Sequence, residues 1–188
     1  LGQTADAEES IFLSPTSIAL ALGMAFNGAS GTTQTAMAEA LQLRDLSRGE
    51  INEQSLALLQ TLDRVGDGDA PAAGVRLDIA NSLWHRQDVA LNQDFLADVS
   101  RFYRAEVQGL DFTAPASVNV INDWVSKATQ GLIPSVVDEL DPDLALLLVN
   151  AVYFKGDWTT PFDKALTSER PFHPAAGPSR PVSMMRRS

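Results

Sequence analysis

The two histidines of this chain, His85 and His173, are the only imidazoles available as a general base. A Ser/His/acid triad would have to pair one of them with a serine such as Ser14 or Ser82. No nucleophile-elbow pattern frames either serine, and Ser14 precedes a proline inside an apolar run. Two widely spaced histidines with no cysteine make a poor metal site. The run GASGTT at residues 28–33, just before a helical pattern, has the look of an anion-binding loop. It lacks the lysine of a phosphate-binding loop and reads as a tight turn between helices. The residues therefore lead to the expectation that the chain is not an enzyme. What stands out instead is Asn150, one amide in the middle of the long apolar run LALLLVNAVYFKGDW at residues 144–158. A strand apolar on consecutive positions is covered on both faces of a sheet, so Asn150 is expected to be buried. A buried amide without partners costs about 1 to 3 kcal/mol, so another segment must supply its hydrogen bonds. Residues 12–18, FLSPTSI, carry Ser14 and Ser17 and are the candidate supplier.

The elements that must position these groups alternate along the chain. Ile18, Leu20, Leu22, Met24 and Phe26 fall in an Ala-rich stretch that is apolar almost all round, which predicts a buried helix. Pro15 suits its first turn, Ser14 or Thr16 its cap, and Asn27-Gly28 its stop. A second helix opens at Ser30-Gly31-Thr32, and a third, over 51–65, carries Leu56, Leu59 and Leu62. Its end runs into GDGDAP at 66–71, the composition of a surface loop. Leu77, Ile79, Asn81, Leu83 and His85 alternate with a second set of side chains, which predicts a strand with unlike faces. A helix over 92–103, a short edge strand over 106–112 and a helix over 116–129 follow. That last helix presents Val118, Ile121, Trp124 and Val125 at helical spacing and ends at Gly131 and Pro134. After the strand containing Asn150, the chain from Pro161 onward is Pro-rich and weakly periodic. The fold class is mixed α/β, of the α+β type, with at least three strands in one sheet.

Composition narrows the partners. In 188 residues, 14 Lys and Arg face 24 Asp and Glu, a formal charge of -10. That balance argues against a nucleic-acid or anionic-membrane surface, which needs clustered cations. The five basic residues between Lys164 and Arg187 read as a solvated face. No apolar run reaches membrane-span length, and no basic-then-apolar signal segment opens the chain. The lack of cysteine excludes disulfides and is compatible with export or with the cytoplasm.

Six segments stand together in one order: IFLSPTSIALALGMAFNGASGTTQTAMAEAL, LDIANSLWHRQD, FLADVSRFYRAEVQGLDF, INDWVSKATQGLIPSVV, NAVYFKGDWTTPF and PVSMM. Their sequence and spacing resemble the serpin family of serine protease inhibitors. The resemblance implies that residues 1–188 are the N-terminal portion of a single serpin domain, a multi-helix domain around a large, mainly antiparallel central sheet. Most of the family's first helix is missing from this portion. So are the reactive loop, its hinge and the C-terminal strands. By the same resemblance Ser14, Pro15, Ser17 and Asn150 lie at a gate beneath the point where the sheet parts. Lys155 and Trp158 lie where an inserting loop first enters, and Asn122 and Trp124 belong to a helix lying across the sheet. A histidine completing the hydrogen bonds of Asn150 is expected in the complementary C-terminal polypeptide.

The implied function is suicide-substrate inhibition: the cleaved reactive loop inserts beside the Asn150 strand and traps the acyl-enzyme of a target serine protease. The alternative is a non-inhibitory serpin-fold carrier, chaperone or structural module. Hinge residues absent from this chain would discriminate the two. No metal or other cofactor is implied, and the 51–65 helix, with Glu53, Asp63 and only Arg64, predicts no glycosaminoglycan activation. Location is expected outside the cell, with cytoplasmic members of the family also known.

Overall fold

Three helices open the chain, strands and helices alternate in its middle and strands close it, in the order α1 (Pro15–Gly28), α2 (Gly31–Ala40), α3 (Arg48–Gly66), β1 (Val75–Arg86), α4 (Gln93–Tyr103), β2 (Glu106–Leu110), α5 (Pro115–Ala128), β3 (Leu146–Gly156), β4 (Ser168–Phe172) and β5 (Arg180–Met184). A computed structural model describes residues 13–66, 74–175 and 177–186. Phe12 and all but the first residue of the 66–71 loop lie outside them. The chain divides into two compact units, one of residues 15–155 and one of residues 1–14 with 156–188.

In the larger unit a three-stranded sheet runs in the order β2-β1-β3. β1 pairs parallel with β2, Ser82 opposite Glu106 and Arg86 opposite Leu110. Parallel neighbours need a crossover, and α4 supplies it. On the other side, Arg86 N–H donates to the Ala145 carbonyl at 3.0 Å and Asn150 reaches Asn81. As the number rises along β1 it falls along β3, so this pair is antiparallel. The expected antiparallel character holds for that pair, and the described sheet as a whole is mixed. β3 closes the order, and its outer edge carries no strand among the described residues.

Both faces of the sheet are covered, as the consecutive apolar residues of β3 require. On one face Leu83 packs with Leu20 and Met24 of α1, Leu59 of α3, and Val99 and Tyr103 of α4, and Leu146 and Leu148 join from β3. On the other, Trp84, Leu110 and Phe112 pack with Ile121 of α5, joined by Leu147 and Val149. Successive β3 residues thus serve opposite cores, as a pleated strand dictates. Leu83, Trp84, Val99, Tyr103 and Ile121 are all 0% exposed, and each apolar side chain so buried contributes roughly 1.5–3 kcal/mol.

Local chemistry fixes the helix ends. Ser47 and Glu50 form a reciprocal capping box before α3: Ser47 N–H and Oγ–H donate to Glu50 Oε2 at 2.8 and 2.7 Å, and Glu50 N–H donates to Ser47 Oγ at 3.2 Å. Asn92 Oδ1 accepts from the Asp94 and Phe95 amides at the start of α4. At the end of α4, Arg104 takes the left-handed conformation (φ 52°) that stops the helix, and its guanidinium pairs with Asp63 of α3. α5 ends where Thr129 Oγ1 accepts from Ile133 N–H at 3.1 Å, followed by Gly131 at φ 80°.

One expectation is corrected here. α1 is not buried all round: Leu20, Met24 and Phe26 are buried, but Ile18 is 43% exposed and Leu22 is also exposed. In the smaller unit, the segment read as weakly periodic forms a hairpin, β4 with β5 antiparallel, with Arg170 opposite Val182. Prolines 171 and 181 face each other across it, which is why the sequence shows no strand pattern there.

Candidate functional site

Asn150 sits on β3 on the same face as Leu146 and Leu148, and Asn81 is its counterpart between Ile79 and Leu83 of β1. Asn150 Nδ2–H donates to Asn81 Oδ1 at 2.7 Å, and Asn81 Nδ2–H donates to the Tyr103 carbonyl at 2.8 Å. That carbonyl closes α4 and has no partner within the helix, so a side-chain donor satisfies it. The polarity of the chain follows. The Tyr103 carbonyl can only accept, so Asn81 must turn its NH2 toward it and its oxygen toward β3. Asn150 must then donate, which leaves its own Oδ1 pointing away. That oxygen is buried and accepts no hydrogen bond.

The expected supplier of these bonds was the segment of Ser14 and Ser17. The partner found is Asn81, which the sequence marks only as a strand residue. Its alternation with Ile79 and Leu83 makes it inward-facing and is the signal that points to it. Asn150 as a residue is half-buried rather than buried, and β3 has no strand on its outer side among the described residues. Ser14 precedes α1 and is half-buried, Pro15 opens the helix and is exposed, and Ser17 lies in its first turn, half-buried.

α5 packs on the Trp84 face of the sheet. Trp124 meets Trp84 of β1 edge to face, with ring centroids 6.0 Å apart, a geometry that contributes about 0.5–1.5 kcal/mol beyond area burial. Asn122 holds the segment after α5: its Oδ1 accepts from the Val136 and Val137 amides at 2.8 and 3.1 Å, and its Nδ2–H donates to the Val137 carbonyl at 2.7 Å. Val137 and Leu140 are thereby held against the Trp84 core. Lys155 is exposed near the end of β3. Trp158, in the smaller unit, is 65% exposed and meets Phe162 edge to face.

A second polar cluster is not legible in the sequence. Asn27 and Asn52 exchange side-chain hydrogen bonds between α1 and α3 at 2.8 and 2.9 Å, both residues buried. Asn27 Nδ2–H also reaches the Gly23 carbonyl at 2.9 Å and Tyr103 Oη at 3.3 Å. Burial pushes the Tyr103 phenol above its usual pKa, and hydrogen bonds from Ser55 and Asn27 only partly hold it back. The phenol is therefore neutral across the physiological range. Catalytic geometry is absent from β1: Ser82 and His85 lie on opposite faces of the strand, so the imidazole cannot take the serine's proton.

Comparison with known proteins covers nearly the whole chain. A family model described as Serpin (serine protease inhibitor) matches residues 2–188. Alpha-1-antitrypsin 1-2 of Mus musculus is 39% identical over 178 residues, 93% of this chain and 42% of the mouse protein. Alpha-1-antiproteinase of Mus saxicola is 37% identical over 93% of this chain and 42% of its own length. The chain thus spans about two fifths of the length of these relatives. Among solved structures, the native state of the thermophilic serpin tengpin superposes with a TM-score of 0.83 at 31% identity, covering 97% of this chain and 45% of that one. Cleaved kallistatin complexed with heparin gives a TM-score of 0.82 at 30% identity, covering 94% of this chain and 51% of that one.

Proposed function

The chain belongs to the serpin family, and from that premise we propose that it is the track-bearing N-terminal portion of a non-enzymatic, suicide-substrate inhibitor of serine proteases. A target protease attacks a reactive loop in the complementary C-terminal polypeptide and forms an acyl-enzyme. The freed loop then adds as a strand beside β3 and carries the protease with it before water can deacylate the ester. Strand addition is favourable because an unpaired edge gains a ladder of main-chain hydrogen bonds. Inhibition then comes from the conformational change of a metastable sheet.

The observation that carries this reading is the state of β3. It ends the described sheet with a free edge, and in its middle Asn150 holds a buried oxygen that accepts nothing. A buried acceptor calls for a donor from outside the described residues, such as an imidazole N–H of the C-terminal polypeptide. Exposed apolar side chains such as Leu132, at 72%, and Phe154, at 65%, suit a surface that another part of the same protein covers. β3 and its amide gate supply the track, while target specificity resides in the reactive loop. We place the action outside the cell, where proteases of this class are met, with no nucleic acid, membrane, metal or glycosaminoglycan required. α3 offers Arg48 and Arg64 against Glu50, Glu53 and Asp63, a poor surface for a sulfated polymer.

The test is to mix the full-length protein with a panel of serine proteases and run denaturing gels. A covalent complex heavier than either partner is expected, with a released C-terminal peptide whose mass locates the reactive bond. Cleavage by several proteases with no complex from any of them would favour the non-inhibitory carrier or structural role.

A further inference from the structure

Tyr103 stands where two polar systems meet. Its hydroxyl contacts the amide pair that ties α1 to α3, and its main-chain carbonyl holds the amide bridge that ties β1 to β3. The geometry points to Tyr103 as a positioning residue through which the helix layer governs the separation of β3 from β1. Three features carry this. First, the ring cannot shift independently of α1: a Cβ added at Gly23 would lie 2.8 Å from Tyr103 Oη and 3.0 Å from Cε1, so the glycine exists in contact with the phenol. Second, Asn27 and Asn52 exchange one side-chain hydrogen bond in each direction, which fixes their orientation and holds the remaining Asn27 N–H toward the hydroxyl and the Gly23 carbonyl. Third, Tyr103 is the last residue of α4 and its side chain is 0% exposed, so a ring displacement that its side-chain torsions cannot absorb within the packed core moves the carbonyl that sets the polarity of Asn81. Asn81 then loses the constraint that makes it accept from Asn150. The inference deepens the proposed inhibitory function and rests on it only for what strand separation is used for.

Hydrogen exchange on the full-length protein tests it without any protease, so its failure is separate from failure of the inhibitory reading. Tyr103→Phe removes the hydroxyl and keeps ring and backbone. It should speed exchange about tenfold in peptides covering β3, the equivalent of one buried hydrogen bond, while peptides of α5, on the opposite face of the sheet, keep their wild-type rates. Gly23→Ala, which removes no hydrogen-bonding group and crowds the phenol, should do the same. Exchange that rises only in α1, α3 and α4, or rises in β3 and α5 together, would overturn the proposal, the first as local packing and the second as global loosening.

Discussion

At the scale of single residues, the amide bridge between β1 and β3 is an exercise in hydrogen-bond direction. A carbonyl that only accepts forces Asn81, then Asn150, into one orientation and leaves one buried oxygen over. Replacing Asn150 by Leu removes the donor to Asn81 and should shift the full-length protein toward inactive inserted or polymeric forms, seen on native gels and as altered heat stability. Unchanged inhibition with unchanged heat stability would contradict a gating role. Tyr103 provides a pH test. Its pKa is raised in the folded state from an ordinary value of 10.0, chiefly by burial, so the unfolded chain releases that proton first. The associated stability is fully present below pH 10 and is lost as pH climbs through the higher folded value. Tyr103→Phe should flatten the alkaline fall of the denaturation midpoint and leave its neutral-pH slope as it was. Asn150 is legible in the sequence because one amide in an apolar run has to be explained. Asn27 and Asn52 are not, because an Asn before Gly reads as a helix stop and an Asn near a helix start reads as surface. Only the crossing of α1 and α3 makes them partners.

At the scale of elements, periodicity reads well where one face is buried. α4, with Phe95, Val99 and Phe102 inward, and α5, with Ile121 and Val125 inward, lie within a residue or two of their expected bounds. α1 misleads because its apolar residues serve two surfaces and only one is covered among the described residues. β4 and β5 escape the sequence because paired prolines erase the strand pattern. The face of α5 gives a direct contrast. Ile121→Ala should destabilise the protein by about 2–5 kcal/mol, since the side chain is wholly enclosed between helix and sheet, whereas Val120→Ala, on the exposed side, should be near neutral in chemical denaturation. The capping box of α3 is testable by acid. Hydrogen bonds from the Ser47 side chain and backbone hold the Glu50 carboxyl below its usual pKa, so the associated stability is present above about pH 4.5 and lost as pH falls through the lower folded value. Ser47→Ala removes the side-chain bonds and keeps the backbone one, so it should reduce that acid-dependent component in the first turn of α3, read as faster amide exchange there.

At the scale of the whole molecule, the described three-stranded sheet has two covered faces and a long edge strand, β3, and the proposed mechanism has that edge take another strand. The order β2-β1-β3 leaves β2 and β3 at the two edges, and β3, with 11 residues against the 5 of β2, offers the longer ladder. The family resemblance is legible from six segments in order. The partnering of β1 with β3 under Asn81 and Asn150 is not, because it depends on a register between residues 69 positions apart. The most direct measurement is a crystal structure of the full-length protein cleaved in its reactive loop. The loop is expected as a new strand hydrogen-bonded along the outer edge of β3. A cleaved loop lying outside the sheet, with β3 against the same neighbour as before cleavage, would contradict the proposed mechanism.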